Sequence, residues 1–157
     1  MDSGCFVNCA MLTDFYELTM MQGYFLQKHN PISAFEMFFR RAPFDGGFAV
    51  FAGLETLLKS ISNFRFEPED LDFLAKQKVF RKSFLDYLGD FKFHGEIHAV
   101  DEGTLVFPNE PLIRVRAPLI EAQLLESLLL NIINFQTLIA TKAARIYLAS
   151  GGGAILE

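Results

Sequence analysis

The sequence lacks the marks of several protein classes. Its 157 residues contain no tryptophan and only two cysteines, Cys5 and Cys9. Their C-x-x-x-C spacing has no second pair to complete a zinc site, and a disulfide framework needs more cysteines. We interpret both as reduced thiols of a cytoplasmic protein. Residues 1–11 contain no lysine or arginine and only a short apolar run, which is not the pattern of a signal peptide.

Positive charge and uninterrupted apolar runs are also scarce. The 14 basic residues are outnumbered by 19 acidic ones, giving a net charge of −5. The basic residues form no stripe, so we expect no nucleic-acid binding. The apolar stretch at residues 119–148 is interrupted by polar side chains that a membrane span would not carry through its centre, so we expect no membrane span. These are Glu121, Glu126, Asn131, Asn134, Lys142 and Arg145.

What is present points to a folded domain rich in phenylalanine. Hydrophobic residues make up 51% of the chain and charged residues 21%, which excludes a disordered chain. The length fits one domain. Each buried aromatic ring removes about 150–250 Å² from water. The 18 phenylalanines therefore predict a large core, a subunit interface, or both.

Apolar periodicity predicts an α+β fold. The predicted order is helix, strand, helices, three short strands and one long helix, with Thr13 as the first helix cap. Two of the short strands flank a turn at residues 101–103. Glycines at residues 151–153 end the long helix, and residues 154–156 begin a strand-like segment. Predicted helices cover residues 14–27, 48–61, 68–78, 82–87 and 119–149, the last open to a kink; predicted strands cover residues 32–40, 97–99, 105–107 and 112–115.

Three clusters could carry chemistry. His94, Glu96 and His98 alternate and could share one face of a strand, but ligands from a single strand diverge, so we favour ordinary surface polarity over a metal site. The glycine-rich segments, residues 46–47 and 151–153, fit no nucleotide-binding motif; a turn and a helix stop are favoured over a phosphate cradle.

Arg40 and Arg41 end the first predicted strand. A solvated strand end and a phosphate or carboxylate site are equally compatible with this pair. Tyr16 lies off the apolar face of the first helix and could point elsewhere. We interpret Lys142 and Arg145 as one polar helix face, and residues 101–102 as part of a turn.

Three sets of segments, taken together, resemble the nicotinate phosphoribosyltransferase family. Residues 12–20, LTDFYELTM, are similar to its opening LLTDxYxLTM. Residues 35–44 and 47–54, FEMFFRRAPF and GFAVFAGL, are similar to FFRRxPF and GGFAVFAGL. The third set is EGTLVFPNEPL, LLE and NFQTLIATKAAR, at residues 102–112, 124–126 and 134–145. The resemblance extends over residues 12–157.

The resemblance implies the N-terminal α+β domain of a type II phosphoribosyltransferase, at residues 1–118, followed at 119–157 by a long helix and the first strand of an irregular α/β barrel. Such enzymes join nicotinate to phosphoribosyl pyrophosphate, giving nicotinate mononucleotide and pyrophosphate in NAD salvage. ATP is a co-substrate, hydrolysed through a phosphorylated histidine, and Mg²⁺ accompanies the pyrophosphate. The implied assembly is a homodimer with a shared active site.

The resemblance also assigns site residues. Tyr16 matches the aromatic that packs on the nicotinate ring, and Asp14 could orient that region. Arg40 or Arg41 matches a basic position that reaches phosphate from the neighbouring subunit. The family segment FGLRRAQG and the phosphorylated histidine are missing, and His29, His94 and His98 lie in the wrong context to replace that histidine. We therefore expect a fragment without transferase activity and without catalytic residues or metal ligands of its own.

Two alternatives remain at this point. A nicotinamide or quinolinate phosphoribosyltransferase would share much of the resemblance, although the FFRRxPF run favours the nicotinate enzyme. A non-catalytic dimerisation domain would instead use the apolar surface that the missing barrel leaves uncovered.

Overall fold

A computed structural model describes residues 10–153. The predictions made for Cys5, Cys9 and the segment at residues 154–156 lie outside the described residues. Within the described residues, twelve elements follow one another, the third being a short 3₁₀ helix at Pro43–Asp45. The others are α1 (Phe15–Leu26), β1 (Ile32–Met37), β2 (Ala49–Val50), α2 (Leu54–Ser62), α3 (Pro68–Lys76), α4 (Lys82–Gly89), β3 (Glu96–Ala99), β4 (Leu105–Val106), β5 (Ile113–Pro118), α5 (Leu119–Leu124) and α6 (Glu126–Ala149).

The main sheet is antiparallel and has β5 at its centre, in the order β1-β5-β3. Phe35 and Ile97 both lie opposite Val115, from the two sides. Because side chains alternate along a strand, Ile113, Val115 and Ala117 of β5 all face one side, where they are buried. Helix α5 packs against β5 and β1 on the sheet, and α1 packs on α5.

The other sheet face is charged. Arg114 on β5 contacts Glu36 on β1, its cross-strand neighbour, with Nε 2.8 Å from the carboxylate. Arg116 lies 3.5 Å from Glu96, and His98 lies 3.9 Å from the same carboxylate. Glu96 therefore pairs with Arg116 and lies near His98 on a solvated face. Within residues 10–153, no group of three His, Cys, Asp or Glu side chains is arranged to hold a metal ion.

A second, two-stranded sheet joins β2 to β4 and packs against α6. Thr141 of α6 accepts the backbone N–H of Val50 at 2.8 Å, and Thr137 accepts that of Ala52 at 3.2 Å. Two helix hydroxyls thus satisfy backbone donors along this strand edge, as a neighbouring strand would do.

The phenylalanines within residues 10–153 divide between the core and the surface. Phe84 lies at the centre of one aromatic cluster, with its ring centroid 5.7 Å from that of Phe25 and 5.9 Å from that of Phe80. Phe64, Phe66 and Phe91 form another cluster. Among the exposed phenylalanines, Phe135 on α6 has 66% of its surface accessible. The predicted large core is confirmed, and apolar surface remains outside it.

The structure confirms the predicted helices at α1, α3 and α4. It also confirms the long helix, which is interrupted at Leu125. Some other elements differ from the predictions. Predicted helix 48–61 is wrong in its first part: Ala49 and Val50 are a strand, and Gly53, with a φ of 106°, cannot continue a helix. The strand predicted to Arg40 ends at Met37. β3 and β4 flank the predicted turn but pair with β5 and β2, not with each other.

The segment Leu119–Ala149 is long and apolar enough to cross a membrane by length and composition alone. Its most apolar 18-residue window is 39% buried: α5 packs on the main sheet, and α6 packs on β2 and α2. The division into domains at residue 118 stays a prediction.

Candidate functional site

Helix α1 begins where the first sequence motif predicted. Asp14 is the N-cap residue and has extended backbone angles. Its N–H donates to Glu17 Oε2 at 3.1 Å, and the N–H of Glu17 donates to the Asp14 carbonyl at 3.0 Å. Thr13 was predicted to be the cap; instead its hydroxyl hydrogen-bonds to Glu17. The correction follows from D-x-x-E at residues 14–17, which forms the capping box one position later.

Tyr16 points away from the core. Glu17, Leu18 and Met21 form the buried face of α1, which leaves Tyr16 with 51% of its surface accessible. Asp14 is exposed beside it. The expectation that Tyr16 lies off the apolar face is confirmed, and its ring is open to a ligand.

Carboxylates surround the start of α1. Glu126, the first residue of α6, has its pKa raised by burial first and then by Glu17 and Asp14. The negative charge of Glu126 is the largest cause of a raised pKa at Tyr16. The phenol therefore stays neutral and keeps its proton through the physiological range. Glu126 is thus a close electrostatic neighbour of Tyr16.

Glu126 also lines a cavity of about 320 Å³ between the main sheet and the start of α6. Arg40 lies on the wall of this cavity together with Glu36 and Glu126. The remaining lining is mostly apolar and comes from β1, β5 and the helices: Phe35, Met37, Phe38, Ile113, Val115, Ala122, Leu129 and Leu130. Tyr16 does not line this cavity; it is connected to Glu126 through the hydrogen bond between their neighbours Glu17 and Ser127.

Arg41 faces a different space. It lines a cavity of about 220 Å³ with Pro43, Asn134 and Thr137, on the side of β2 and the middle of α6. The two adjacent arginines therefore diverge. Of the residues singled out in the sequence, Arg40 shares its cavity with Glu126, whose charge raises the pKa of Tyr16; Tyr16 and Asp14 do not line that cavity, and Arg41 lines the other one.

The loop after the arginines is held by Arg145. Phe44 and Asp45 have left-handed φ angles of 58° and 50°, which are strained for residues with a side chain. Arg145 Nη1 donates to the Phe44 carbonyl at 3.0 Å, and its guanidinium carbon lies 5.6 Å from the centre of the Phe44 ring. A Cβ at Gly46 would lie 2.7 Å from Arg145 Nη1. Arg145 was interpreted as part of a polar face; its contacts make it the anchor of this loop.

The sequence did not predict that Glu17 and Glu121 would be buried, nor that Glu102 would cap a helix distant from it in the chain. Glu121 is buried and accepts the N–H of His94 at 2.6 Å, with the His94 ring 3.3 Å away. Glu102, predicted to lie in a turn, accepts the N–H of Gly53 at 2.8 Å and caps α2, since glycine has no side chain to do so. Of these three glutamates, only Glu17 lies in a recognisable local sequence pattern, the capping box at residues 14–17. The glycines at 151–153 end α6, as predicted.

Comparisons with known proteins agree with this architecture. Residues 11–134 match the family model described as the nicotinate phosphoribosyltransferase (NAPRTase) N-terminal domain. The nicotinate phosphoribosyltransferase of Bacillus subtilis (strain 168) is 48% identical over 149 residues, covering 94% of this chain and 30% of that protein. The Caenorhabditis elegans nicotinate phosphoribosyltransferase is 43% identical over 145 residues, covering 90% of this chain and 26% of that protein.

Solved structures give the same result. The crystal structure of human nicotinic acid phosphoribosyltransferase superposes with a TM-score of 0.83 at 37% identity, over 92% of this chain and 30% of that one. A Pyrococcus furiosus nicotinate-nucleotide pyrophosphorylase shares the fold, with a TM-score of 0.71 at 17% identity over 96% of this chain and 31% of that one. The chain thus spans about 30% of the length of such relatives. The α+β prediction is confirmed, and the chain belongs to the nicotinate phosphoribosyltransferase family, to whose N-terminal domain it corresponds.

Proposed function

We propose that this chain is the nicotinate-facing part of an enzyme that joins nicotinate to phosphoribosyl pyrophosphate and releases nicotinate mononucleotide and pyrophosphate, a step of NAD salvage. One observation carries the proposal. Tyr16 presents an accessible ring, the adjacent Glu17 is hydrogen-bonded to Ser127, and Glu126, which directly precedes Ser127, shares a cavity with Arg40. A flat aromatic suits a pyridine ring, and a guanidinium suits phosphate oxygens.

The charges around Tyr16 also fit this reaction. When the ring nitrogen of nicotinate bonds to the ribosyl carbon, the ring becomes a pyridinium cation. The carboxylates of Asp14 and Glu126 near Tyr16 would favour that developing positive charge. The carboxylate of nicotinate would have to face away from them. Asp14 therefore has a supporting electrostatic role in the proposal.

Of the two arginines, we assign the phosphate contact on the Tyr16 side to Arg40. Support comes from the cavity that Arg40 shares with Glu126, whereas Arg41 lines the cavity beside the Arg145-anchored loop. Arg41 remains a candidate for a second phosphate contact.

The remaining chemistry belongs to groups outside this chain's described residues. Mg²⁺ and ATP are expected in the complete reaction, with Mg²⁺ carried by the pyrophosphate. Because residues 10–153 hold no group of three His, Cys, Asp or Glu side chains suited to a metal ion, we assign no metal ligand here and derive no step through the metal. The three histidines, His29, His94 and His98, are not assigned a phosphoryl-transfer role.

We further propose a homodimer with a shared active site, located in the cytoplasm. Support for a dimer comes from the accessible apolar side chains of α6, above all Phe135 and Leu148, at 66% and 69% accessible. Light scattering of the protein at the concentration of an activity assay would test the dimer; a monomer that is fully active would contradict it.

The first experiment uses the complete protein, meaning the product of the whole reading frame that contains this sequence. It should form nicotinate mononucleotide from nicotinate and phosphoribosyl pyrophosphate, whereas the purified 157-residue chain should form none. A complete protein without this activity would favour a non-catalytic dimerisation domain. A preference for nicotinamide or quinolinate in the same assay would point to one of the related transferases.

The second experiment tests the residues. Tyr16→Ala should raise the Michaelis constant for nicotinate about fivefold, equivalent to ~1 kcal/mol of aromatic packing, and leave that for phosphoribosyl pyrophosphate near its original value. Tyr16→Phe should retain binding. Tyr147→Ala is the matched control, because Tyr147 is equally exposed, at 52%, near the end of α6.

Arg40→Ala and Arg41→Ala separate the two arginines. The Arg40 variant should raise the Michaelis constant for phosphoribosyl pyrophosphate more than the Arg41 variant does, because charge-assisted contacts to phosphate are strong. An Arg41→Ala variant with the larger effect would reverse the assignment.

A further inference from the structure

Glu17 is a charged residue enclosed in the core beside Tyr16. Its relative accessibility is 0%, although it lies in the first turn of α1. One carboxylate oxygen, Oε2, accepts three hydrogen bonds: from the Thr13 hydroxyl, from the Asp14 N–H at 3.1 Å, and from the Ser127 hydroxyl at 3.2 Å. The Ser127 bond connects the start of α1 to the start of α6, across 110 residues of sequence.

Stability alone does not account for this arrangement. Oε1 of Glu17 is buried with no hydrogen-bond partner among the described residues. Burying a carboxylate with one oxygen unsatisfied is unfavourable, and an apolar side chain of similar size could fill such a site at less cost. Buried polar groups that fix one arrangement of neighbouring elements are a recognised exception to apolar cores. The three donors on Oε2 define such an arrangement.

The hydrogen bond between Glu17 and Ser127 also affects the residues adjacent to them in the sequence. Glu17 directly follows Tyr16, and Ser127 directly follows Glu126. A hydrogen bond between Glu17 and Ser127 therefore fixes the separation and rotation of the two helix starts that carry Tyr16 and Glu126. Since Glu126 lines the cavity of Arg40, the bond also sets Tyr16 relative to that cavity.

We propose that Glu17, through its hydrogen bond to Ser127, is a positioning residue that holds Tyr16 at the orientation required to bind the substrate's aromatic ring. This inference rests on the proposed function, in which Tyr16 binds nicotinate. Glu17 does not contact the substrate; it acts only through Tyr16. Loss of the interhelix bond should consequently weaken binding of the ring-bearing substrate and spare the phosphate-bearing one.

The test removes the interhelix bond alone. Ser127→Ala leaves Glu17, Thr13 and Asp14 in place, so the capping box survives. Ser127→Thr keeps the hydroxyl and is the conservative variant. Ser60→Ala is the matched control, because the Ser60 hydroxyl is part-buried and bonds only within its own helix, to Thr56 O at 2.9 Å. Each change is made in the complete protein, in both the original and the Tyr16→Ala background.

In the original background, Ser127→Ala should raise the Michaelis constant for nicotinate about fivefold, a size within reach of one hydrogen bond to a charged group. The constant for phosphoribosyl pyrophosphate should stay within about twofold, and Ser127→Thr and Ser60→Ala should behave as the original protein. In the Tyr16→Ala background, Ser127→Ala should have no further effect on nicotinate, because coupled residues are non-additive.

The contrary outcomes are distinct. If Ser127→Ala changes nothing, raises both Michaelis constants alike, or adds its full effect to that of Tyr16→Ala, the positioning role is wrong while the binding role of Tyr16 stands. If Tyr16→Ala itself leaves the constant for nicotinate unchanged, the assignment of Tyr16 in the proposed function is wrong, and the positioning inference is overturned with it.

Discussion

Each end of α6 is hydrogen-bonded to a segment that contains candidate site residues, and each bond involves one charged side chain. One of these side chains is buried and the other is exposed. At the N-terminal end, Ser127 bonds to Glu17, which is fully buried next to Tyr16. Near the C-terminal end, Arg145 is exposed and holds the loop that follows Arg41, donating to the Phe44 carbonyl at 3.0 Å. We call these contacts the Glu17 junction and the Arg145 anchor.

The difference lies in what replaces a lost contact. Around the Arg145 anchor, water can hydrate a freed guanidinium or carbonyl, so each exposed contact contributes little net free energy. Around the Glu17 junction, partly buried donors released from Glu17 have limited access to water, and unsatisfied buried groups cost about 1–3 kcal/mol each. The two contacts look alike as hydrogen bonds but should differ severalfold in their effect on stability.

Glu17→Ala should have the largest effect. It removes the acceptor of three hydrogen bonds and leaves a cavity, so the free energy of unfolding should fall by about 2–4 kcal/mol. Urea unfolding followed by circular dichroism measures this. Glu55→Ala is the control: Glu55 also lies in a first helical turn, but its side chain is 72% exposed, so its loss should change the free energy of unfolding far less. Equal losses for the two variants would remove the distinction between buried and exposed contacts.

Arg145→Ala should reduce the stability of the whole protein less than Glu17→Ala does, and it should also change the dynamics of the loop at residues 43–47. The free energy of unfolding should change by less than about 1 kcal/mol, because the contacts are exposed. The left-handed angles at Phe44 and Asp45 lose their support, so amide hydrogen exchange should accelerate at residues 43–47 and not in α1. Arg65→Ala, which removes an arginine from an exposed ion pair elsewhere, should leave that loop unchanged. Unaltered exchange in the loop would show that it holds its shape without the anchor.

Glu126→Gln should have the smallest effect on stability, and that effect should depend on pH. Burial, and then Glu17 and Asp14, raise the pKa of Glu126, so the folded protein binds this proton more tightly than the unfolded chain does. The contribution of Glu126 to stability is therefore fully present at low pH and is lost as pH rises through its raised pKa. At pH 7 the Gln variant should have the higher thermal midpoint, and the gap should close towards pH 4.

The same substitution has a second readout. Glu126 is the main cause of the raised pKa of Tyr16, so the phenol of Tyr16 should titrate at lower pH in the Gln variant, as followed by ultraviolet absorbance. A titration of Tyr16 that stays in place would separate Tyr16 from Glu126 and weaken the link between Tyr16 and the cavity of Arg40.

Local patterns predicted most of the elements because helix and strand periods are properties of neighbouring residues. Leu18 and Met21 marked the buried face of α1, and Tyr16 fell off it, as the structure confirms. The prediction was wrong at Ala49 and Val50, because these apolar residues precede a helix and were assigned to it. The turn at Gly53 and the pairing with Leu105 and Val106 overrode that pattern.

The candidate site was predictable only in part, for a related reason. The resemblance of residues 12–20 and 35–44 to a family singled out Tyr16, Asp14 and the arginine pair, but their roles stay predictions. Nothing in the residues around Arg40 and Arg41 indicated that the two would line different cavities. The divergence arises because β1 ends at Met37 and the following chain leaves the sheet.

By itself the sequence determined the helices, most of the strands, the α+β class, the accessible position of Tyr16 and the family. The tertiary structure alone decided that β3 pairs with β5 and β4 with β2, that Ser127 meets Glu17, and that Arg145 meets Phe44. The physical reason is distance along the chain. Backbone sterics and side-chain periodicity act over a few residues, whereas these contacts join residues up to 110 positions apart and exist only once the core brings the helices and sheets together.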